Sequence, residues 1–216
     1  MITLPLLKAR HPWPDVCPEV PEKRVANGGI FGWFHGENRR VLKTLLERPE
    51  TENVLELGAL LGLSTSFLAQ WAPEATIVTI DHWKGSREHQ KSEPLADVLD
   101  TLFETFCVHM WRYRENVIPV RDDTLHGMVE LYTIGFAPDV VYVDASHETG
   151  PVYADTMLAI TLWPNAHIVG DDGKWTTVQA ALKDVQLKLT DRTITNHGCC
   201  WEIPPAGTPV VGLETP

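Results

Sequence analysis

The strongest constraint on this chain is a rhythm. Short apolar runs at residues 54–57, 75–80, 117–120, 140–143 and 167–170 alternate with longer segments whose apolar residues recur at helical spacing. Strands that strictly alternate with helices build a parallel sheet covered on both faces. The runs Val140-Val141-Tyr142-Val143 and His167-Ile168-Val169 are nearly continuous in apolar residues, as strands buried on both sides must be. Val41, Leu42, Leu45 and Leu46 mark a helix over 37–47. Leu95, Val98, Leu99, Leu102, Phe103, Phe106 and Met110 predict one long amphipathic helix over 95–110. Val178, Ala181, Leu182, Val185 and Leu189 predict another over 176–189, and residues 192–204 read as one or two closing strands, antiparallel at an edge. The expected fold is α/β, doubly wound and mostly parallel.

In such a sheet, ligands bind outside the carboxyl ends of the strands. Polar residues gather at those ends: Glu56 to Gly58, Asp81-His82-Trp83, Asp122-Asp123-Thr124, Asp144 to His147, and Asp171-Asp172. At the first of them a buried strand turns, between Gly58 and Gly62, into a helix that Ser64 or Thr65 is placed to cap. Glycines let the backbone of such a turn approach a ligand closely, and the helix start offers unsatisfied N–H groups. Asp81 closes the next strand, where an acidic residue takes the hydroxyl pair of a ribose in nucleotide-binding α/β folds.

Asp144, Asp171 and Asp172 each follow an apolar strand at the same sheet edge. Three carboxylates that converge without basic partners repel one another, at a cost on the order of several kcal/mol when partly buried. A divalent cation removes that cost, and an all-oxygen ligand set selects Mg²⁺ or Mn²⁺. The plainer reading is that Asp171 or Asp172 caps the next helix and that Asp144 ends its strand in water.

The spacing Glu56-x-Gly58-x-x-x-Gly62 resembles the first motif of the class I S-adenosylmethionine-dependent methyltransferases, with Asp81 as the acidic end of their second strand. Asp144-Ala145-Ser146-His147 and Gly170-Asp171-Asp172 narrow the resemblance to their metal-dependent small-molecule O-methyltransferases, of the sugar and macrolide type. It covers roughly residues 37–201 and implies a seven-stranded Rossmann-like sheet. It also implies that Glu56, Gly58 and Gly62 hold the amino-acid end of S-adenosylmethionine, that Ala59 and Ser64 also contact the cofactor, and that Asp81 holds its ribose. By the same resemblance His82 and Trp83 flank the adenine, Asp123 and Thr124 lie beside it, and Asp144 borders the cofactor while joining Asp171 and Asp172 as a metal ligand. Some sugar enzymes of this type use a second Asp, two residues after the first, as general base. Here that position is Ser146, which is not basic, so His147 is the candidate base. His82 also reads as a plain loop residue and Trp83 as a packing aromatic; His126 and His167 read as structural.

The remaining features bound the partners. Lys and Arg number 18 against 29 Asp and Glu, and a net charge of −11 disfavours nucleic acid and anionic membrane surfaces. Cys17, Cys107, Cys199 and Cys200 show no zinc spacing, and the adjacent pair reads as small apolar residues in a strand. No signal peptide or membrane span is read, so the reducing cytoplasm is the expected compartment. Residues 1–36 read as an irregular, proline-broken arm whose Trp13, Phe31, Trp33 and Phe34, with Gly28, Gly29, Gly32 and Gly36 near three of them, pack on the domain as a cover or a lid. Residues 37–216 read as one catalytic domain, 84–93 as a polar loop beside the site, and a homodimer is plausible. The expected acceptor is a small hydroxylated molecule. Two other readings compete: an NAD(P)-linked oxidoreductase on a doubly wound sheet, and a non-catalytic module that binds a partner through its aromatic arm.

Overall fold

A computed structural model describes residues 4–20, 30–86 and 95–208. The strands are β1 (Asn53–Leu57), β2 (Thr76–Asp81), β3 (Val117–Arg121), β4 (Val140–Val143), β5 (His167–Gly170), β6 (Thr195–His197) and β7 (Cys200–Ile203). The helices are α1 (Leu4–Arg10), α2 (Gly36–Leu46), α3 (Leu63–Trp71), α4 (Leu102–Met110), α5 (Thr124–Thr133), α6 (Thr149–Leu162) and α7 (Thr176–Gln186). The strands form a single seven-stranded sheet in the order β3-β2-β1-β4-β5-β7-β6. β1 to β5 run parallel, and β7 and β6 add antiparallel at the far edge. Strand order reverses between β1 and β4, which opens a crevice above their carboxyl ends.

The alternation along each strand divides the core. Val54, Ile77, Val117 and Tyr142 face α2, α3 and α4, where Leu42, Leu68, Phe106 and Met110 are buried. Leu55, Val78, Ile118 and Val141 face the opposite layer, with Met128, Val152, Ala181 and Trp201. The register sets Leu57 level with both Ile80 and Val143, and Val143 level with Gly170. The next residues, Gly58, Asp81, Asp144 and Asp171, therefore emerge side by side along one rim.

Four local expectations change. The first 36 residues are not wholly irregular: α1 forms, because Pro5 occupies its first turn, where no N–H bond is lost, and Leu7 is buried against the sheet. Gly28 and Gly29 lie outside the described residues, as does most of the polar segment 84–93. The expected long helix over 95–110 is a 3₁₀ stretch, Leu95–Thr101, followed by α4. It breaks at Asp100 and Thr101, side chains that compete with helical backbone bonds, and Thr101 leaves helical geometry at φ −134°. Cys200 is buried in β7, but Cys199 sits in the hairpin turn, where the left-handed Gly198 reverses the chain. Ser64 and Thr65 lie inside α3; its N-cap is Gly62, at φ 90°.

The arm wraps an exposed edge of the sheet. Trp13 stacks on Phe106, meets Trp111 edge-on and donates its indole N–H to the Val117 carbonyl of β3 at 2.8 Å. Covering an edge strand in this way blocks pairing with another chain. Further on, Phe34 is buried against Phe67 and Tyr142. Among the described residues no helix is long and apolar enough to cross a membrane.

Candidate active site

The crevice at the strand-order reversal holds a cavity of about 540 Å³. Its floor is the β1–α3 turn, Gly58 to Leu61 with Leu63 and Ser64 but not Gly62, and Asp81 lies beside it; Asp144, His147, Asp171 and Asp172 form the far wall, and Phe31, Trp33, His35 and Trp175 its rim. No Lys or Arg is among the described residues that line it.

Backbone crowding explains the glycines of the floor. A Cβ on Gly58, which has φ 90°, would lie 2.2 Å from the Asp144 carbonyl oxygen and 2.6 Å from the Ala145 Cα. Gly62, also at φ 90°, leaves room for Met110 beneath the turn. Leu60 between them is left-handed as well, at φ 47°. Asp81 braces this loop: its Oδ2 accepts from the Ala59 and Leu60 N–H groups at 3.0 and 2.9 Å, and its Oδ1 from the Trp83 N–H at 2.6 Å. A carboxylate offers about four acceptor positions, so Asp81, which lines the cavity, retains one.

Glu56 does not reach the cavity surface. It is fully buried beneath the turn and accepts the hydroxyl protons of Ser64 and Thr65 at 2.6 and 2.5 Å. Burial pushes its carboxyl up to about 7 despite these hydrogen bonds. Ser64, in the first turn of α3, touches the cavity and Glu56 at once.

The acidic residues gather in two overlapping groups that share Asp172. One ligand atom each from Asp144, His147 and Asp172 lies within 4.8 Å of the others, and the same holds for His35, Asp171 and Asp172. His147 Nε2 lies 2.8 Å from Asp172 Oδ2, and its ring packs on Trp175 with centroids 4.6 Å apart. Asp172 is left-handed at φ 59°, and its N–H donates to Asp171 Oδ1 at 2.6 Å. Burial, then the charges of Asp171, Asp172 and Glu56, hold the Asp144 carboxyl well above the usual carboxylate range; burial also raises Asp171. The Tyr142 hydroxyl donates to Asp144 Oδ2 at 3.1 Å. Next to Asp171 the fully buried Asn38 has neither amide atom hydrogen-bonded, although it is near enough to favour the charged carboxyl. Crowded, protonation-prone carboxyls, two imidazoles and an unpartnered buried amide form a donor set that suits a divalent cation.

Several residues with an expected role at the cofactor lie away from the cavity wall. Asp123 caps α5 by accepting from the Leu125 N–H at 3.0 Å, and Thr124 donates to Asp155 at 2.7 Å. Trp83 is 3% exposed, packs between Phe103 and Phe106, and donates its indole N–H to the Leu60 carbonyl at 2.9 Å. His82 Nδ1 accepts from the Lys84 N–H at 2.9 Å. His167, read as structural, shares Glu202 with His197 at 2.9 and 2.8 Å, which holds the closing strands to β5 and pulls the Glu202 carboxyl down to about 2. Four residues at the site carried no readable signal. His35 and Asn38 belong to no spaced motif, Trp175 looks like any helix-flanking aromatic, and Tyr142 shows only as one polar tip in an apolar strand.

Comparison with known proteins agrees with this geometry. A family described as a methyltransferase domain matches residues 55–173, more than half of the chain. No curated protein sequence matches it. Among solved structures, cofactor-bound Rv0187 from MTB is 19% identical with a TM-score of 0.58, covering 92% of this chain and 86% of its own. The O-methyltransferase from Bacillus cereus in complex with SAH is 18% identical at TM-score 0.55, covering 79% and 82%. The O-methyltransferase TomG from Streptomyces achromogenes, involved in tomaymycin synthesis and in complex with SAM, is 17% identical at TM-score 0.59, covering 81% and 82%. These likenesses are of fold; the family match spans the glycine turn, Asp81, Asp144, His147, Asp171 and Asp172, and by it the chain belongs to the methyltransferase-domain family, enzymes that transfer a methyl group.

Proposed function

We propose that this protein is an S-adenosylmethionine-dependent O-methyltransferase that acts on a hydroxyl of a small, uncharged molecule with the help of a divalent cation. The observation that carries the reading is that one cavity is walled by both the glycine turn and the Asp144–His147–Asp172 group. The cofactor supplies, when bound, a methyl group on a sulfonium centre that leaves as a neutral thioether, and a cation held by the carboxylates supplies positive charge beside the acceptor hydroxyl.

The chain's own residues do the rest. Gly58 and Gly62 let the floor turn tightly beside Asp144 and over Met110, and Asp81, itself on the cavity wall, fixes the loop. Asp172 holds the His147 ring through Nε2 at 2.8 Å, on the wall of the cavity that would receive the acceptor hydroxyl. Its imidazole would take the proton of the acceptor hydroxyl, and the bound cofactor would supply the methyl group to that oxygen. Trp33 and Trp175, 54% and 46% exposed, offer faces for an apolar ring, and the absence of cations from the described lining disfavours a phosphorylated acceptor. The four free cysteines suit a reducing cytoplasm.

Calorimetry with S-adenosylmethionine and S-adenosylhomocysteine tests the cofactor. No binding at millimolar ligand rejects the proposal. Double substitution of Asp171 and Asp172 by Ala is expected to abolish turnover and leave cofactor affinity within a few-fold. Full activity in chelator removes the cation from the scheme.

A further inference from the structure

We infer that His35, carried to the cavity at the end of the N-terminal arm, is a nitrogen ligand of the cation held by Asp171 and Asp172, and that it turns the site toward a borderline transition ion rather than Mg²⁺. The inference rests on the cation-assisted reading above and extends it to the ion's identity and to a ligand from outside the carboxyl rim of the sheet.

Three observations support it. An imidazole nitrogen of His35 and an oxygen from each of Asp171 and Asp172 lie within 4.8 Å of one another. Donors bound to one ion at about 2.1 Å lie no more than about 4.2 Å apart, so small side-chain rotations close the gap. His35 also occupies the N-cap position of α2, yet its side chain makes no cap bond, whereas Asp123 at the start of α5 does. The backbone is nevertheless well held: Phe34 before it is buried between Phe67 and Tyr142, and α2 after it buries Val41, Leu42, Leu45 and Leu46. A side chain on so fixed a backbone, aimed at two carboxylates, is preorganised as a ligand.

The third observation is Asn38, one turn further along α2. It is fully buried with neither amide atom hydrogen-bonded, and it stands beside Asp171. Buried amides are almost always partnered, and an orphan beside a ligand set marks a missing polar group. The second histidine, His147, is already engaged by Asp172 at 2.8 Å and belongs to the other group. The two imidazoles thus divide the work, His35 for the ion and His147 for the proton.

Imidazole nitrogen shifts preference from Mg²⁺, which favours oxygen, toward ions further along the divalent series such as Co²⁺ and Zn²⁺. The test uses the full chain stripped with chelator and titrated with Mg²⁺ or Co²⁺, read by calorimetry and by the visible absorption of bound Co²⁺. The wild type is expected to bind Co²⁺ at least 100-fold tighter than Mg²⁺, roughly the span expected for adding a nitrogen donor. His35→Ala is expected to lose about tenfold or more in Co²⁺ affinity and to shift the absorption, with Mg²⁺ affinity changed less than about threefold. His35→Glu, which supplies oxygen instead, is expected to narrow the preference from the Mg²⁺ side. An unchanged Co²⁺ affinity and spectrum in both variants overturns the role of His35 while leaving a cation-assisted enzyme intact. Failure of the wild type to bind any divalent ion overturns both.

Discussion

Asp172 Oδ2 and His147 Nε2 lie 2.8 Å apart on the wall of the cavity, joining a residue in a left-handed turn after β5 to one in the loop after β4. The pair holds the imidazole ring against Trp175, at the place where the proposed function needs a base. His147→Gln is therefore expected to lower turnover by about 10²- to 10⁴-fold, the usual worth of a positioned base. Affinity for S-adenosylmethionine should stay within a few-fold. Single-turnover methyl transfer, paired with calorimetry, checks both; wild-type turnover in the variant would show that the proton goes elsewhere.

Glu56 makes stability depend on pH. Its carboxyl is raised from 4.5 to about 7 by burial, so the folded state keeps a proton that the unfolded chain releases. The unfolded state binds fewer protons across that window, and stability accordingly falls as pH rises from about 4.5 to 7, then levels. Glu56→Gln, which resembles the protonated form, should remove on the order of 3 kcal/mol of that fall. Asp155, raised to about 6 by burial, has the same sign and leaves a residual slope. Urea denaturation of the ligand-free protein at pH 5 and pH 8 measures the difference; identical slopes for both proteins would exclude Glu56 as the source.

Gly58→Ala tests the floor of the cavity. The new methyl would meet the Asp144 carbonyl oxygen at 2.2 Å, on a backbone already at φ 90°. Strain and overpacking together are expected to cost about 2–5 kcal/mol. Because β1 and β4 must part to relieve the clash, cofactor affinity should fall with stability. Chemical denaturation and calorimetry read the two effects, and an unperturbed variant would mean that the two strand ends are not so close.

Trp83 separates packing from ligand contact. Its ring is enclosed by Phe103 and Phe106, and its N–H holds the Leu60 carbonyl in the glycine turn. Trp83→Ala should destabilise the fold by about 3–5 kcal/mol. Trp83→Phe, which keeps the apolar bulk and loses the hydrogen bond, should cost about 1–3 kcal/mol. A large loss of cofactor affinity in Trp83→Phe at unchanged stability would instead assign the ring to the adenine.

Much of the architecture was legible because its signals are local. Continuous apolar runs separated by helical periodicities can be buried only in a doubly covered sheet. The residues closing β1, β2, β4 and β5 must then share one edge, since parallel strands point their ends the same way. The break at Thr101 and the formation of α1 were less legible, because each rests on one or two residues against a longer pattern.

The sequence alone determined that the chain makes an α/β sheet with glycines and carboxylates on its carboxyl rim, because strand periodicity and chain direction are written residue by residue. The tertiary structure decided which of those residues meet. It buried Glu56 under Ser64 and Thr65, turned Trp83 into the core, gave Asp123 to a helix cap, and brought His35 across more than a hundred residues to Asp171 and Asp172. Such partnerships depend on side-chain direction and on contacts between distant segments, and neither leaves a spacing in the chain.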